Sequence, residues 1–497
     1  MKHARMKPLI RLFGGALLAW TTLCAAQQQG TQESPAPESL KGVQLKGKAP
    51  VNPQTLRVVL PRAQEATLSN GLRVALLEDH KLPTFSLQLL LTGGGLDDPA
   101  NQHGLAMVTA SLLREGTTER TSRQIAEQLA TLGGAFSASA SPSSGETGIG
   151  IGGLSENADK ILAIAADVVR NPAFPEAELA KYKSRFVSQL QQQRATPGFV
   201  AQEEFMRAVY GTHPGSYVVP PENVLRDLTR ADLVSYHKAH YMPNNGIVLA
   251  YGDFKLGDLV QKLERAFGNW PKGEVRAISL PALTPPAKAR VLLVDRPGSV
   301  QTSLWLGGLG IERRSDDYFA VLVMDHILGG GPASRLFINL REDKGYTYGV
   351  QSFFNGSRFP GVILATTDVR TQVTEGALHE LTAEVRRIGN EPVPEDELKK
   401  AKRALVGGFA LSLDSPQTLL SNLATQKIYN LPADYWDTYP QRVEAITAAD
   451  VQRVAKKYYD ANRLQLIAVG DAASVKKVLE QYGTVETPPP AAAGAAQ

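Results

Sequence analysis

Apolar and polar positions alternate over residues 67–78 (TLSNGLRVALLE) around Asn70-Gly71, which predicts a hairpin with a tight turn. The alternation resumes over 85–91 and stops at Gly93-Gly94-Gly95. From 102 to 117 the spacing changes to that of a helix, with His103, Ala106 and Met107 in its first turn. Helical spacing returns at 122–132, where Ile125, Leu129 and Leu132 share one side, and at 157–169, 175–194, 231–240 and 256–267. Asn171-Pro172 and Thr196-Pro197 break the pattern between helices. The Ser/Gly/Ala-rich stretch 135–153 has period two and predicts two thin strands about a turn at 141–145. Residues 246–252 predict a buried strand.

The same order then recurs. Residues 289–297 (ARVLLVDRP) match 72–80, and 302–310 (TSLWLGGLG) match 86–94. A helix at 316–328 takes the place of the His103 helix. Segments 377–388, 395–412, 448–459 and 464–470 match 157–169, 175–194, 230–241 and 246–252, and Asp471 matches Asp253. A repeat of about 200 residues predicts an α+β fold of two duplicated α/β sandwich domains forming a clamshell. The expected boundaries are 66–270 and 289–480, joined by a Pro-rich bridge at 271–288. A polar linker at 27–65 precedes them and a Pro/Ala-rich tail at 481–497 follows.

Composition sharpens this. With 43% apolar and 21% charged residues, the 497-residue chain reads as globular. The net charge of +4 is spread along it, without a basic run interleaved with aromatics, so nucleic acid is not an expected partner. Lys2, Arg5, Lys7 and Arg11 precede an apolar run at 12–19, and Ala25-Ala26 follow, the pattern of a signal peptide spanning 1–26. Export to the periplasm is expected. The only cysteine, Cys24, falls within that segment, and Thr21 and Leu23 make a poor lipoprotein context around it. A mature chain without cysteine excludes disulfides, thiol catalysis and Cys-ligated zinc. No later apolar run reaches the length of a membrane span.

The duplication over about residues 66–480, together with LREGT at 113–117, SRL at 334–336 and LREDKGYTYGV at 340–350, resembles the pitrilysin (M16, inverzincin) family of zinc peptidases, in its bacterial branch related to mitochondrial processing peptidase. The resemblance implies a His-x-x-Glu-His helix in the first half. Its histidines bind zinc, its glutamate is the general base, and a glutamate on a downstream helix completes the shell. This chain has His103 at the first ligand place, Ala106 at the base place and Met107 at the second ligand place, with Gln189 near the third. Alanine cannot take a proton, a thioether is a poor partner for zinc, and an amide carries no charge. No metal bound by this chain is expected. Elsewhere, His237 and His240 share a helix face without a third ligand, and His213 and His326 have no partner that the sequence names.

The resemblance also implies that Arg341 and Tyr348 reach a zinc site from the second half, the tyrosine toward a developing oxyanion and the arginine toward the substrate, with Tyr346 as the alternative phenol. It implies substrate uptake by β-augmentation at an edge strand, here Ala135, Phe136, Ser137 and Ala138. The run Gly329-Gly330-Gly331-Pro332 lacks the phosphate-loop pattern and reads as a flexible hinge. The expected function is a zinc-less subunit whose partner carries the intact HxxEH and the zinc, acting on peptide or unfolded polypeptide. The alternatives are a stand-alone peptide-binding or chaperone-like protein and a divergent metalloendopeptidase.

Overall fold

The computed structural model describes residues 54–275 and 280–488. The expected signal peptide, most of the leading linker, part of the bridge and the end of the tail lie outside the described residues.

The first half begins with strands β1 (Gln64–Thr67), β2 (Arg73–Glu78) and β3 (Thr84–Thr92) and helices α1 (Leu105–Leu112) and α2 (Ser122–Thr131). Strands β4 (Ala135–Ser139) and β5 (Glu146–Leu154) precede helices α3 (Ala158–Arg170), α4 (Glu176–Arg194), α5 (Pro197–Tyr210), α6 (Glu222–Asp227) and α7 (Arg230–His240). Strand β6 (Gly246–Gly252) and helix α8 (Leu256–Phe267) complete it. The second half has β7 (Arg290–Asp295), β8 (Gln301–Leu309), α9 (Tyr318–Leu328), a π-helical segment Phe337–Asp343, β9 (Thr347–Phe354) and β10 (Val362–Arg370). It continues with α10 (Thr374–Asn390), α11 (Glu395–Ser412), α12 (Pro416–Ile428), α13 (Tyr439–Glu444), α14 (Ala448–Tyr458), β11 (Gln465–Gly470), α15 (Ala472–Leu479) and β12 (Val485–Glu486).

Each half contains one six-stranded sheet. The orders are β1-β2-β6-β3-β5-β4 and β12-β7-β11-β8-β10-β9, so five strands correspond one to one. The single parallel pair inside each common set also corresponds, β2 with β6 and β7 with β11. The repeat extends to helix caps: Thr229 and Asp232 form a capping box on α7, and Thr447 and Asp450 form its equivalent on α14. The duplicated α+β clamshell read from the sequence is the observed architecture.

The hydrophobic period did not reveal how the halves hold each other. Helix α5 belongs to the first half by sequence but packs across β8 and β11 of the second sheet. Its Ala201, Phe205 and Val209 share a buried cluster with Leu292, Leu364, Ile467 and Val469. Helix α12 of the second half returns the exchange. Its Leu420, Leu423 and Ala424 cover Ala75, Leu77, Ile247 and Leu249 of the first sheet. Each sheet therefore has its own helices on one face and the other half's helix on the opposite face. That arrangement explains why β11 is buried along its whole length and β6 at every residue but Tyr251.

The Gly329-Gly330-Gly331 run differs from the hinge expected of it. The N–H groups of Gly329 and Gly330 both donate to the Asp325 carbonyl, and Gly329 lies so close to Ser352 that a Cβ would meet its backbone nitrogen at 2.2 Å. Close packing at the end of α9, rather than freedom, requires glycine there.

Candidate functional site

The helix carrying the degenerate metal motif starts later than its pattern predicts. Gly104 has φ +102°, which breaks regular helix between His103 and the first helical residue, Leu105. A Cβ at Gly104 would lie 2.3 Å from the Pro220 ring, so the 217–220 loop is pressed onto this turn. Asp98 caps the helix start, accepting the Gly104 N–H at 2.6 Å and the Ala106 N–H at 2.9 Å. Burial raises the Asp98 carboxyl to about 7 despite those bonds, which favour its ionised form.

His103 therefore sits outside the helix, and His103 and Met107 are not stacked one turn apart on a continuous helical face. The His103 ring is buried and stacks on Tyr217 at 4.2 Å. Among the described residues its Nδ1 has no hydrogen-bond partner, and burial holds its pKa below the ordinary value. Ala106 is fully buried and Met107 half-buried. Gln189 is exposed on α4. The α4 side chain that reaches α1 is instead Tyr182, through a hydrogen bond with Ser111. Among the described residues no group of three His, Cys, Asp or Glu side chains is placed to hold a metal ion. One imidazole capped by a phenol ring, beside alanine and a thioether, does not fit zinc.

His213, His237, His240 and His326 serve the chain's own packing. His237 Nε2 donates to the Val169 carbonyl at 2.8 Å, and its ring stacks on Tyr241. His240 stacks on Tyr236 and lies 3.4 Å from Asp97. His213 Nδ1 accepts the Gly215 N–H, and its ring meets Phe359. His326 packs on Gly331.

The second-half pair is built differently. Arg341 lies in the π-helical segment, which packs against β9. Sustained π-helix is rare and often marks functional positions. The segment is anchored from beneath: Leu336 and Leu340 are fully buried, Asn339 donates to Glu380 and Glu384, and Arg335 makes a two-pronged pair with Glu397 at 2.8 Å per arm. Arg341 itself is held loosely. Its guanidinium lies 4.6 Å over the Phe337 ring, and it makes a long ion pair with Glu342 at 3.7 Å. Tyr348 on β9 is 96% exposed. Tyr346 is half-buried with its hydroxyl against Gly376, so of the two phenols it is Tyr348 that is presented to solvent.

The two corresponding edge strands are β4 and β9. Among the described residues β4, the segment containing Ala135, Phe136, Ser137 and Ala138, pairs only with β5. Phe136 points into the core while Ala135 and Ser137 are exposed. Helix α1 packs against this strand. The roles of Tyr217 and Pro220 had no signal in the sequence, because a loop that folds over a helix end leaves no periodicity.

A model described as "Insulinase (Peptidase family M16)" matches residues 73–220, and one described as "Peptidase M16 inactive domain" matches residues 227–405. Among curated relatives, the chain is 24% identical over 360 residues to "Uncharacterized zinc protease YmxG" of Bacillus subtilis, covering 71% of this chain and 85% of that one. It is 23% identical over 399 residues to "Non-peptidase homolog YmxG" of Helicobacter pylori, covering 79% and 90%. Among solved structures it resembles a peptidase M16 inactive domain from Pseudomonas fluorescens, with a TM-score of 0.76 and 28% identity over 86% of this chain and 100% of that one.

Proposed function

The chain belongs to the M16 peptidase family, and from that premise we propose that it is the zinc-less subunit of a heteromeric M16 metallopeptidase. Tyr348 carries this reading. A phenol that is 96% exposed on an edge strand contributes little to the chain's own packing, and Arg341 has only a loose ion pair. Both are suited to act on something brought from outside. The first half's donor set does not fit a metal, and Tyr217 already occupies one face of His103.

In this reading the partner carries HxxEH, and its zinc supplies the activated water. The Tyr348 hydroxyl donates to the carbonyl oxygen of an extended substrate as charge develops there. The Arg341 guanidinium binds the substrate's backbone or a carboxylate, and its perch on Phe337 limits the orientations it samples. The free edges of β4 and β9 offer backbone N–H and C=O groups to peptide or unfolded polypeptide. Export to the periplasm, from the basic and apolar N-terminal sequence, would place the complex outside the cytoplasm.

The test is reconstitution with an exported M16 chain bearing an intact HxxEH, using a quenched-fluorescence peptide. Each chain alone should be inactive and the mixture active. Tyr348→Phe should lower kcat by about 10²-fold, the scale of one lost oxyanion donor. Full activity with both Tyr348→Phe and Arg341→Gln would refute the donor role. The two free sheet edges also favour a peptide-binding module without a partner, which predicts peptide binding by this chain alone and indifference to Arg341→Gln.

A further inference from the structure

A cavity of about 670 Å³ opens in the second half near the start of α9, between the 313–316 turn and the 430–432 loop. Three arginines line it, Arg313, Arg314 and Arg442, against one acid, Asp316. Arg313 is the unusual member. It is only 6% exposed, and its Nη1 donates to the Tyr435 hydroxyl at 2.5 Å. Its guanidinium lies 3.8 Å over the Tyr318 ring and 5.0 Å over that of Tyr435. Arg442 bonds to Thr438 and faces the Phe319 and Tyr435 rings.

Among the described residues, none of the three arginines has a carboxylate within ion-pairing distance. Asp317, next to the cavity in sequence, is committed elsewhere. Against a burial that would raise its pKa, hydrogen bonds from Lys457, Arg453 and Tyr458 hold it at about 2. A guanidinium buried to this degree is normally paired with an acid, because aromatic faces offset only part of the desolvation cost. The Arg313 backbone N–H is bonded to the Ser357 carbonyl, which fixes the turn that carries the side chain.

From this geometry we infer that the cavity is a binding site for an organic carboxylate carried on an apolar group. The planar forks of Arg313 and Arg442 match a carboxylate's two oxygens, and Tyr318, Phe319, Leu431 and Ile446 supply an apolar wall for the group attached to it. Two sources share this chemistry: a small aromatic or aliphatic acid, and the free C-terminus of a peptide. The second has a route. Tyr318 packs edge-on against Phe354 at 5.4 Å, and Phe354 ends β9, about 20 Å along the edge strand from Tyr348. The inference concerns this chain alone and is independent of the partner proposed above.

Calorimetric titration of the full chain tests it with three probes: an octapeptide ending in leucine with a free carboxylate, the same peptide amidated, and N-acetylphenylalanine. At least one free acid should bind, and the amide should bind at least about tenfold more weakly than its acid. Binding of the free-acid peptide alone identifies the C-terminus as the source, binding of N-acetylphenylalanine alone a small acid, and binding of both a site that accepts either. Arg442→Gln and Arg314→Gln lie at more exposed positions than Arg313, and each should weaken binding about tenfold while leaving the melting temperature in place. Equal affinity for acid and amide, no binding of either acid at millimolar concentration, or wild-type binding by both variants would overturn the inference.

Discussion

Replacing Phe205 with alanine tests the exchange of helices that joins the two halves. Phe205 is 0% exposed on α5, and its ring lies 5.9 Å from Trp305 of the second sheet. It is clustered with Ile467 and Val469 on β11. Removing a buried phenyl ring costs about 3–5 kcal/mol, the lost transfer energy plus the cavity left behind. The upper part of that range applies here. β11 is hydrogen-bonded on one side to β7 and on the other to β8, so it cannot move in to fill the space. The loss should fall on the coupling between the halves, since each half keeps its own core. Urea denaturation followed by tryptophan fluorescence and far-UV circular dichroism should show a lower midpoint and a separation of the two signals into successive transitions. Leu420→Ala, on the reciprocal helix α12, should do the same at about 2–5 kcal/mol. Losses below about 1 kcal/mol in both variants, with coincident transitions, would mean that these helices do not bind the halves together.

Other expectations follow from the site and its supports. Ala106→Glu restores the family's base position in sequence but places a carboxylate at a fully buried point, so thermal unfolding should show a clear loss of stability, about 3 kcal/mol or more; an unchanged melting temperature would show the position open to solvent. Tyr348→Ala should change stability by no more than about 0.5 kcal/mol, because the side chain is almost wholly exposed, and a larger loss by chemical denaturation would assign it a packing role. Glu397→Ala leaves the buried Arg335 guanidinium unpaired and should cost about 3 kcal/mol, detectable as a lowered urea midpoint. Burial raises Asp325 from 3.8 to about 7, against a lowering hydrogen bond from Ser352. The folded state then holds a proton that the unfolded chain releases, so this group's stabilisation is complete below about pH 4 and is lost as pH rises through about 7. Asp325→Asn should flatten the fall of the urea midpoint between pH 4 and 8, though not abolish it, since Asp98 contributes a slope of the same sign; an unaltered slope would contradict the assignment.

The sequence by itself determined the duplication, the strands and helices that recur in both halves from β2 to α8 and from β7 to β11 apart from α5, α6, α12, α13, β9 and β10, and the loss of a zinc donor set. Those features are local: a period of two or 3.6 reports which side of an element is apolar, and Ala106 and Met107 are poor donors in any fold. It also drew attention to the segment carrying Arg341 and Tyr348. Tertiary structure decided the rest. An apolar helix face shows that it needs cover but not whose sheet supplies it, so the crossing of α5 and α12 could not be read from either half. The late start of α1 depends on Pro220 pressing on Gly104, a contact between residues more than a hundred positions apart. Tyr346 and Tyr348 are equivalent as letters, and only the packing of one against Gly376 leaves the other exposed. The Arg313 cavity joins a turn before α9 to a loop after α12, and among the described residues the fold brings aromatic rings, and no carboxylate within ion-pairing distance, to that guanidinium.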